Sequence, residues 1–142
     1  MSSPWLELDP ESLAPPKDAL VRGVTLRVVL SPYDVPDAVR GFRDAAKDRF
    51  VIEYRYIDDE PWTLEHHSDG ISARIGKTSK RLYGFEIDTT KLGAQAIILE
   101  MIVATLDTLA NSPKRHARRE NYKVARSALA ARQGEVFQHL GA

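Results

Sequence analysis

Residues 49–88, RFVIEYRYIDDEPWTLEHHSDGISARIGKTSKRLYGFEID, decide the fold. Phe50, Ile52, Tyr54 and Tyr56 alternate with Val51, Glu53, Arg55 and Ile57. A period of two built from aromatic and β-branched residues is the pattern of a strand. Asp58-Asp59-Glu60-Pro61 reads as a turn, Trp62 to His67 as a second strand, and Asp69-Gly70 as a hairpin signal. Ile71 to Ile75 forms a third strand, with Ser72 and Arg74 facing away from Ile71, Ala73 and Ile75. Gly76 to Lys80 turns the chain into a fourth, Arg81 to Asp88. Short connections favour pairing between neighbours, so a four-stranded antiparallel meander is expected. Its covered face is expected to carry Phe50, Ile52, Tyr54, Tyr56, Tyr83, Phe85 and Ile87, because a one-residue slip would expose every ring.

Upstream, Val24 to Leu30 alternates as a strand that Ser31-Pro32 ends. Asp34 then stands at an N-cap position with Pro36 in the first turn. Val35, Ala38, Val39, Phe42, Ala45 and Ala46 recur at helical spacing, so a crossover helix is expected over 35–47. Residues 1–18 hold four prolines and mostly acidic charge, which reads as an arm. Its apolar residues Trp5, Leu6 and Leu8 are expected to dock on the protein's own body.

Downstream, Leu92 to Ala110 reads as a helix apolar around most of its circumference, with Glu100, Asp107 and Asn111 on one stripe. Ser112-Pro113 opens a second helix, expected to run to about Leu140, with Ala117, Val124, Ala125, Ala128, Leu129 and Val136 inward. The expected architecture is α+β: a mostly antiparallel sheet of about five strands, an N-terminal crossover helix, and two C-terminal helices packed on one face. Residues 1–18 form the arm and 19–142 a single domain.

Composition bounds the chemistry. The 142 residues contain no cysteine, which removes disulfides, thiol catalysis and thiolate zinc sites. The first twenty residues lack a basic start followed by an apolar run, and no uncharged stretch approaches the ~20 residues that span a bilayer. A cytoplasmic protein without membrane contact is expected. Net charge is zero, but residues 1–70 carry 8 Lys/Arg against 14 Asp/Glu, and residues 71–142 carry 12 against 6.

Motifs with specific chemistry are sparse. Gly76-Lys77-Thr78 resembles a phosphate-loop ending, but Ile71 stands where the first glycine belongs and a strand follows. Glu65, His67 and Asp69 share a side of one strand without the spacing of a metal site. Asp58-Asp59-Glu60 is ordinary turn chemistry before a proline. No metal, cofactor or catalytic residue is expected.

Two charged features remain. Arg115, Arg119, Lys123 and Arg126 fall on one arc of the last helix and form a candidate polyanion-binding stripe. Arg132 lies in the alanine-rich inward arc, so pairing with Glu100 or Asp107 is expected, within the chain or across a dimer. The leading reading is a non-enzymatic interaction or ligand-binding protein that forms a homodimer, with a further protein partner left open. One alternative is nucleic-acid binding through helix 113–132; another is an enzyme with a dispersed site. Self-association follows from the helix 92–110, whose third side (Leu99, Val103 and Leu106, or Ile98 and Ile102) needs a cover.

Overall fold

The computed structural model describes residues 4–92 and 95–139. In chain order the elements are β1 (Leu6–Glu7), α1 (Pro10–Leu13), β2 (Lys17–Val21), β3 (Val24–Val28), β4 (Ala38–Asp44), β5 (Arg49–Arg55), β6 (Trp62–Ser68), β7 (Ile71–Gly76), β8 (Leu82–Ile87), α2 (Thr89–Leu92), α3 (Gln95–Ala110), α4 (Arg119–Ala131) and α5 (Gln133–Val136). Short 3₁₀ turns cover Pro32–Asp34, Pro113–Arg118 and Phe137–His139. The architecture is α+β, with a six-stranded antiparallel sheet in the order β1-β4-β5-β8-β7-β6 and a separate two-stranded sheet, β2-β3.

Register places Phe50, Ile52, Phe85 and Ile87 as the alternation requires, whereas a register shift between Arg74 and Ile75 sets Leu82, not Tyr83, opposite Ile75. Phe50 faces Ile87 and Ile52 faces Phe85 across β5 and β8, while Ile71 and Ala73 continue the same face on β7. Phe50, Ile52, Tyr54, Tyr56, Tyr83, Phe85 and Ile87 are all buried, packed with Ile98, Ile102, Leu106 and Leu109 of α3 and Tyr122, Ala125, Ala128 and Leu129 of α4. Polar tips of that core tie α4 to the sheet. The Tyr54 hydroxyl donates to the Ala125 carbonyl at 2.9 Å, and Tyr122 donates to Lys80 at 2.7 Å. Buried Asn121 accepts from the Leu82 N–H at 3.1 Å and donates to the Asp34 carbonyl at 2.7 Å and to the Tyr56 hydroxyl at 3.2 Å.

Four expectations are corrected. The crossover helix over 35–47 is instead strand β4, paired along its whole length with β5 from Ala38–Arg55 to Asp44–Arg49. Gly41 weakens a helix at mid-span, and seven paired residues outweigh the helical spacing around it. The meander is corrected too: β6, β7 and β8 follow one another, but β5 lies beside β8, not β6. The result is a Greek-key order. Burial explains it, since β5 has buried residues on both faces and suits the interior, whereas β6 is largely exposed and suits the edge.

The strand at 24–28 does not join the main sheet; it forms a hairpin with residues 17–21. The expected helix from 113 begins as a 3₁₀ turn, kinked at Arg115, and becomes α-helical only at Arg119. Ala117 is therefore exposed rather than inward. Leu140, its expected end, and residues 93 and 94 of the preceding helix lie outside the described residues.

The N-terminal arm docks on the body. Leu6 pairs with Val39 as an edge strand, Leu8 and Leu13 pack against the core, and α1 is capped by the Asp9 side chain. The helix face expected to need a cover is largely covered within the chain: Ile98, Ile102 and Leu106 are buried, and Leu99 and Val103 are half-buried. Among the described residues no single helix is long and apolar enough to cross a membrane.

Candidate interaction surface

Hairpin β2–β3 stands apart from the main sheet. Arg22 and Gly23 link its strands with φ of 51° and 78°. Positive φ at both central residues is the signature of a type I′ turn, whose twist matches the flanking strands. Register puts Lys17, Ala19 and Val21 on the same face as Val24, Leu26 and Val28; Asp18, Leu20, Thr25 and Arg27 take the other.

One face is apolar and exposed through Val21, Val24, Leu26 and Val28, while the other sets Leu20 among Asp18, Thr25 and Arg27. Of the large apolar side chains left exposed, Leu20, Val21, Val24, Leu26, Val28 and Val29 belong to this one segment. Leu20 is 75% exposed and Val24 57%. A two-stranded hairpin is marginally stable alone in water, and the apolar side chains of this one are left exposed. Its root borders a cleft of about 420 Å³ against α4, where Ala19, Val28, Leu30 and Val124 supply apolar walls and Glu120 and Lys123 a charged margin.

The basic stripe is only partly assembled. Arg119, Lys123 and Arg126 line one shallow cleft of about 170 Å³ between α3 and α4. Arg126 is held by Asp107 at 3.0 Å, and Lys123 lies 3.6 Å from Glu120. Arg115 belongs elsewhere: the 3₁₀ turn swings it to the sheet edge, where its guanidinium makes a two-pronged ion pair with Glu65 of β6. A helical wheel drawn through residue 115 misplaces it, because the wheel assumes 3.6 residues per turn from Pro113 onward.

The Arg115–Glu65 pair has a third member. The hydrogen bond from Arg115 holds the Glu65 carboxyl below its ordinary range, against the opposing effect of burial. His67 Nε2 lies 3.1 Å from Glu65 Oε1 without an aligned hydrogen bond. Burial pushes the His67 imidazole below its usual value, and the Glu65 charge opposes that shift. His66 points to the opposite side of β6, beside Ser72. Among the described residues no group of three or more His, Asp or Glu side chains is placed to hold a metal ion.

The expected pairing of Arg132 with Glu100 or Asp107 is not made within the chain. Arg132 sits at the break between α4 and α5, where its guanidinium donates to Glu135 at 2.9 Å and to the Glu7 carbonyl at 2.8 Å. The break turns it off the inward arc and toward the docked N-terminal arm. Asp107 takes Arg126, and Glu100 is exposed.

The hairpin is the feature the sequence reading passed over. Ala19-Leu20-Val21, then Arg22-Gly23, then Val24 is a strand–turn–strand signature. Apolar-polar alternation is regular only from Val24 onward, so it does not reveal the partner strand. Comparisons with protein-family models, curated proteins and solved structures return no match.

Proposed function

We propose that the chain is a non-enzymatic interaction protein that pairs with a second copy of itself through hairpin β2–β3. The observation that carries this is the exposed apolar row of Val21, Val24, Leu26 and Val28 on one face of the hairpin. Monomeric proteins rarely leave contiguous apolar patches beyond a few hundred Å² uncovered.

The second copy is favoured by the pattern of β3 itself. Val24-Thr25-Leu26-Arg27-Val28 has the same order of apolar and polar residues read in either direction. Antiparallel pairing of two β3 edges about Leu26 sets Val24 against Val28 of the other copy, Leu26 against Leu26, and Thr25 against Arg27. No like charges meet, and Asp18 already lies across from each Arg27. Strand β2 lacks this symmetry, since Asp18 would oppose Leu20. Two hairpins joined in this way make a four-stranded sheet with a two-fold axis, the commonest closed symmetry. The basic stripe supports the nucleic-acid alternative less well, because Asp107 and Glu120 occupy two of its three converging cations.

Light scattering across a concentration series tests the proposal. The wild type is expected at twice 15.9 kDa. Leu26→Lys places two cations face to face at the axis and should return the mass to that of one chain. Leu20→Lys lies on the other face of the hairpin and should leave the dimer intact. A wild type that stays at one chain's mass on concentration overturns the proposal, and so does equal disruption by the two variants.

A further inference from the structure

Both roots of hairpin β2–β3 are pinned, and the cleft of about 420 Å³ beside α4 lies between them. On the β2 side, the Ala14 N–H donates to the Pro10 carbonyl at 3.0 Å and Leu13 packs against the core. Pro15 and Pro16 then stiffen the backbone that leads into Lys17. On the β3 side, the turn after Leu30 is tied to the base of α4. Arg118 donates to the Asp34 carboxylate at 3.0 Å, and Asn121 donates to the Asp34 carbonyl at 2.7 Å. Ala19, Val28 and Leu30 are thereby held facing Val124 across a gap.

The polar groups around the gap are already engaged. Its charged residues are Lys17 and Lys123 against Asp18 and Glu120. Lys123 lies 3.6 Å from Glu120, and Asp18 lies across from Arg27. With Arg27 counted, one cation is left over, Lys17, and a single exposed charge discriminates little between guests. The other polar side chain in the lining, Ser127, donates its hydroxyl to the Lys123 carbonyl at 3.3 Å. No set of polar groups converges on a guest, so the cleft offers apolar contact, from Leu13, Ala19, Val28, Leu30 and Val124.

Shape narrows the class of ligand. The volume falls within the ~300–1,000 Å³ of ordinary small-molecule pockets. Val28 belongs both to the cleft and to the exposed row Val28, Leu26, Val24 on one face of the hairpin. That row runs on for about 14 Å, at ~3.4 Å per residue. A pocket prolonged into a strip suits a chain better than a ring. Pairing of two β3 edges lies in the plane of the hairpin, and the cleft is built within one chain, so a second copy does not fill it. We infer that the cleft binds the unbranched alkyl chain of a single amphiphile, its end against Val124 and its length along Val28 and Leu26. The site is independent of the pairing proposed for β3.

Methyl NMR spectra report on the site directly. The probes are hexanol, octanol and decanol, with adamantanol as a compact apolar control and phosphatidylcholine vesicles as the bilayer source of the same chains. Saturable movement of the Val28, Leu30 and Val124 methyl signals with the linear alcohols is expected, while those of buried Ile98 and Ile102 stay still. Affinity should rise about twofold to fourfold for each added methylene, the upper figure being complete burial. Ser127→Trp, on the exposed rim of the cleft, should fill it and weaken octanol binding at least tenfold; unmoved Ile98 and Ile102 signals check that the variant is folded. Leu26→Lys should bind hexanol as the wild type does, whatever its oligomeric state, because the cleft lies within one chain. Static signals, affinity that does not grow with chain length, adamantanol binding as tightly as decanol, or unchanged affinity in Ser127→Trp overturn the inference. So do loss of hexanol binding in Leu26→Lys and binding of vesicles without binding of the free alcohols.

Discussion

Replacing Asn121 by alanine should cost the protein more than any single surface ion pair. The Asn121 amide is buried and makes three hydrogen bonds that join α4 to the Leu82 backbone, to the turn at Asp34 and to Tyr56. Truncation leaves the Leu82 N–H buried without an acceptor, since β8 shifts register beside it. An orphaned buried donor costs about 1–3 kcal/mol, and each of the two further lost bonds about 1 kcal/mol, so the sum is about 3–5 kcal/mol. Tyr56 is partly protected because its own hydroxyl still donates to the Leu82 carbonyl at 2.6 Å. For a chain of this length the loss corresponds to a fall in Tm of roughly 10–17 °C. Urea unfolding followed by circular dichroism measures it. Asn121→Asp keeps the acceptor for Leu82 but sets a carboxylate against the Asp34 carbonyl, so it should be no more stable than the alanine variant at pH 7. A loss below about 1 kcal/mol for Asn121→Ala, or an aspartate variant as stable as the wild type, would refute the assignment of Asn121 as the polar joint of the core.

Acid sensitivity should begin with His67. Its folded value lies below the usual 6.5 because burial disfavours the cation, so the unfolded chain takes up its proton first and stability declines as pH falls through that range. Glu65, held below its usual 4.5 by Arg115, adds a second decline at lower pH. Urea midpoints between pH 7.5 and 5 should therefore fall in the wild type and flatten in His67→Gln; parallel slopes would contradict the account. Gly41→Ala places a Cβ against the Val136 backbone and the Phe50 ring, where α5 crosses β4, and should destabilise by about 1–3 kcal/mol in thermal melts. An unchanged Tm would mean that α5 can be lifted off the sheet without cost.

The sheet was legible in the sequence where alternation and burial agree. A period of two assigns Phe50, Ile52, Tyr54, Phe85 and Ile87 to the core without reference to partners, but it misses the register shift that brings Leu82 opposite Ile75. Strand order was not legible, because alternation says which face is buried and nothing about which strand stands beside it. The one available signal was composition: β6, with Glu65, His66 and His67, is too polar for an interior place. Residues 35–47 misled because Val35, Val39 and Phe42 fit a helix and a strand alike, and only the ladder to β5 decides between them. The basic stripe failed at Arg115, whose 3₁₀ turn breaks the helical spacing, and the Arg132 pairing failed at the break between α4 and α5. The cleft at the root of the hairpin lay beyond reach, since its walls come from the end of α1, the hairpin and α4, which packing alone brings near each other.

The seating of β5 beside β8 also has a consequence during synthesis. Strands β4 and β5 can pair as soon as both have left the ribosome, whereas the Phe50–Ile87 and Ile52–Phe85 contacts wait for a strand made much later. At about 5–20 residues per second, that wait is on the order of seconds. Throughout it the outer edge of β5 is open, and Phe50, Val51 and Ile52 offer a template to any other strand they meet. Slowing translation between residues 56 and 82 should lengthen this vulnerable interval and raise the fraction of nascent chain lost to aggregation.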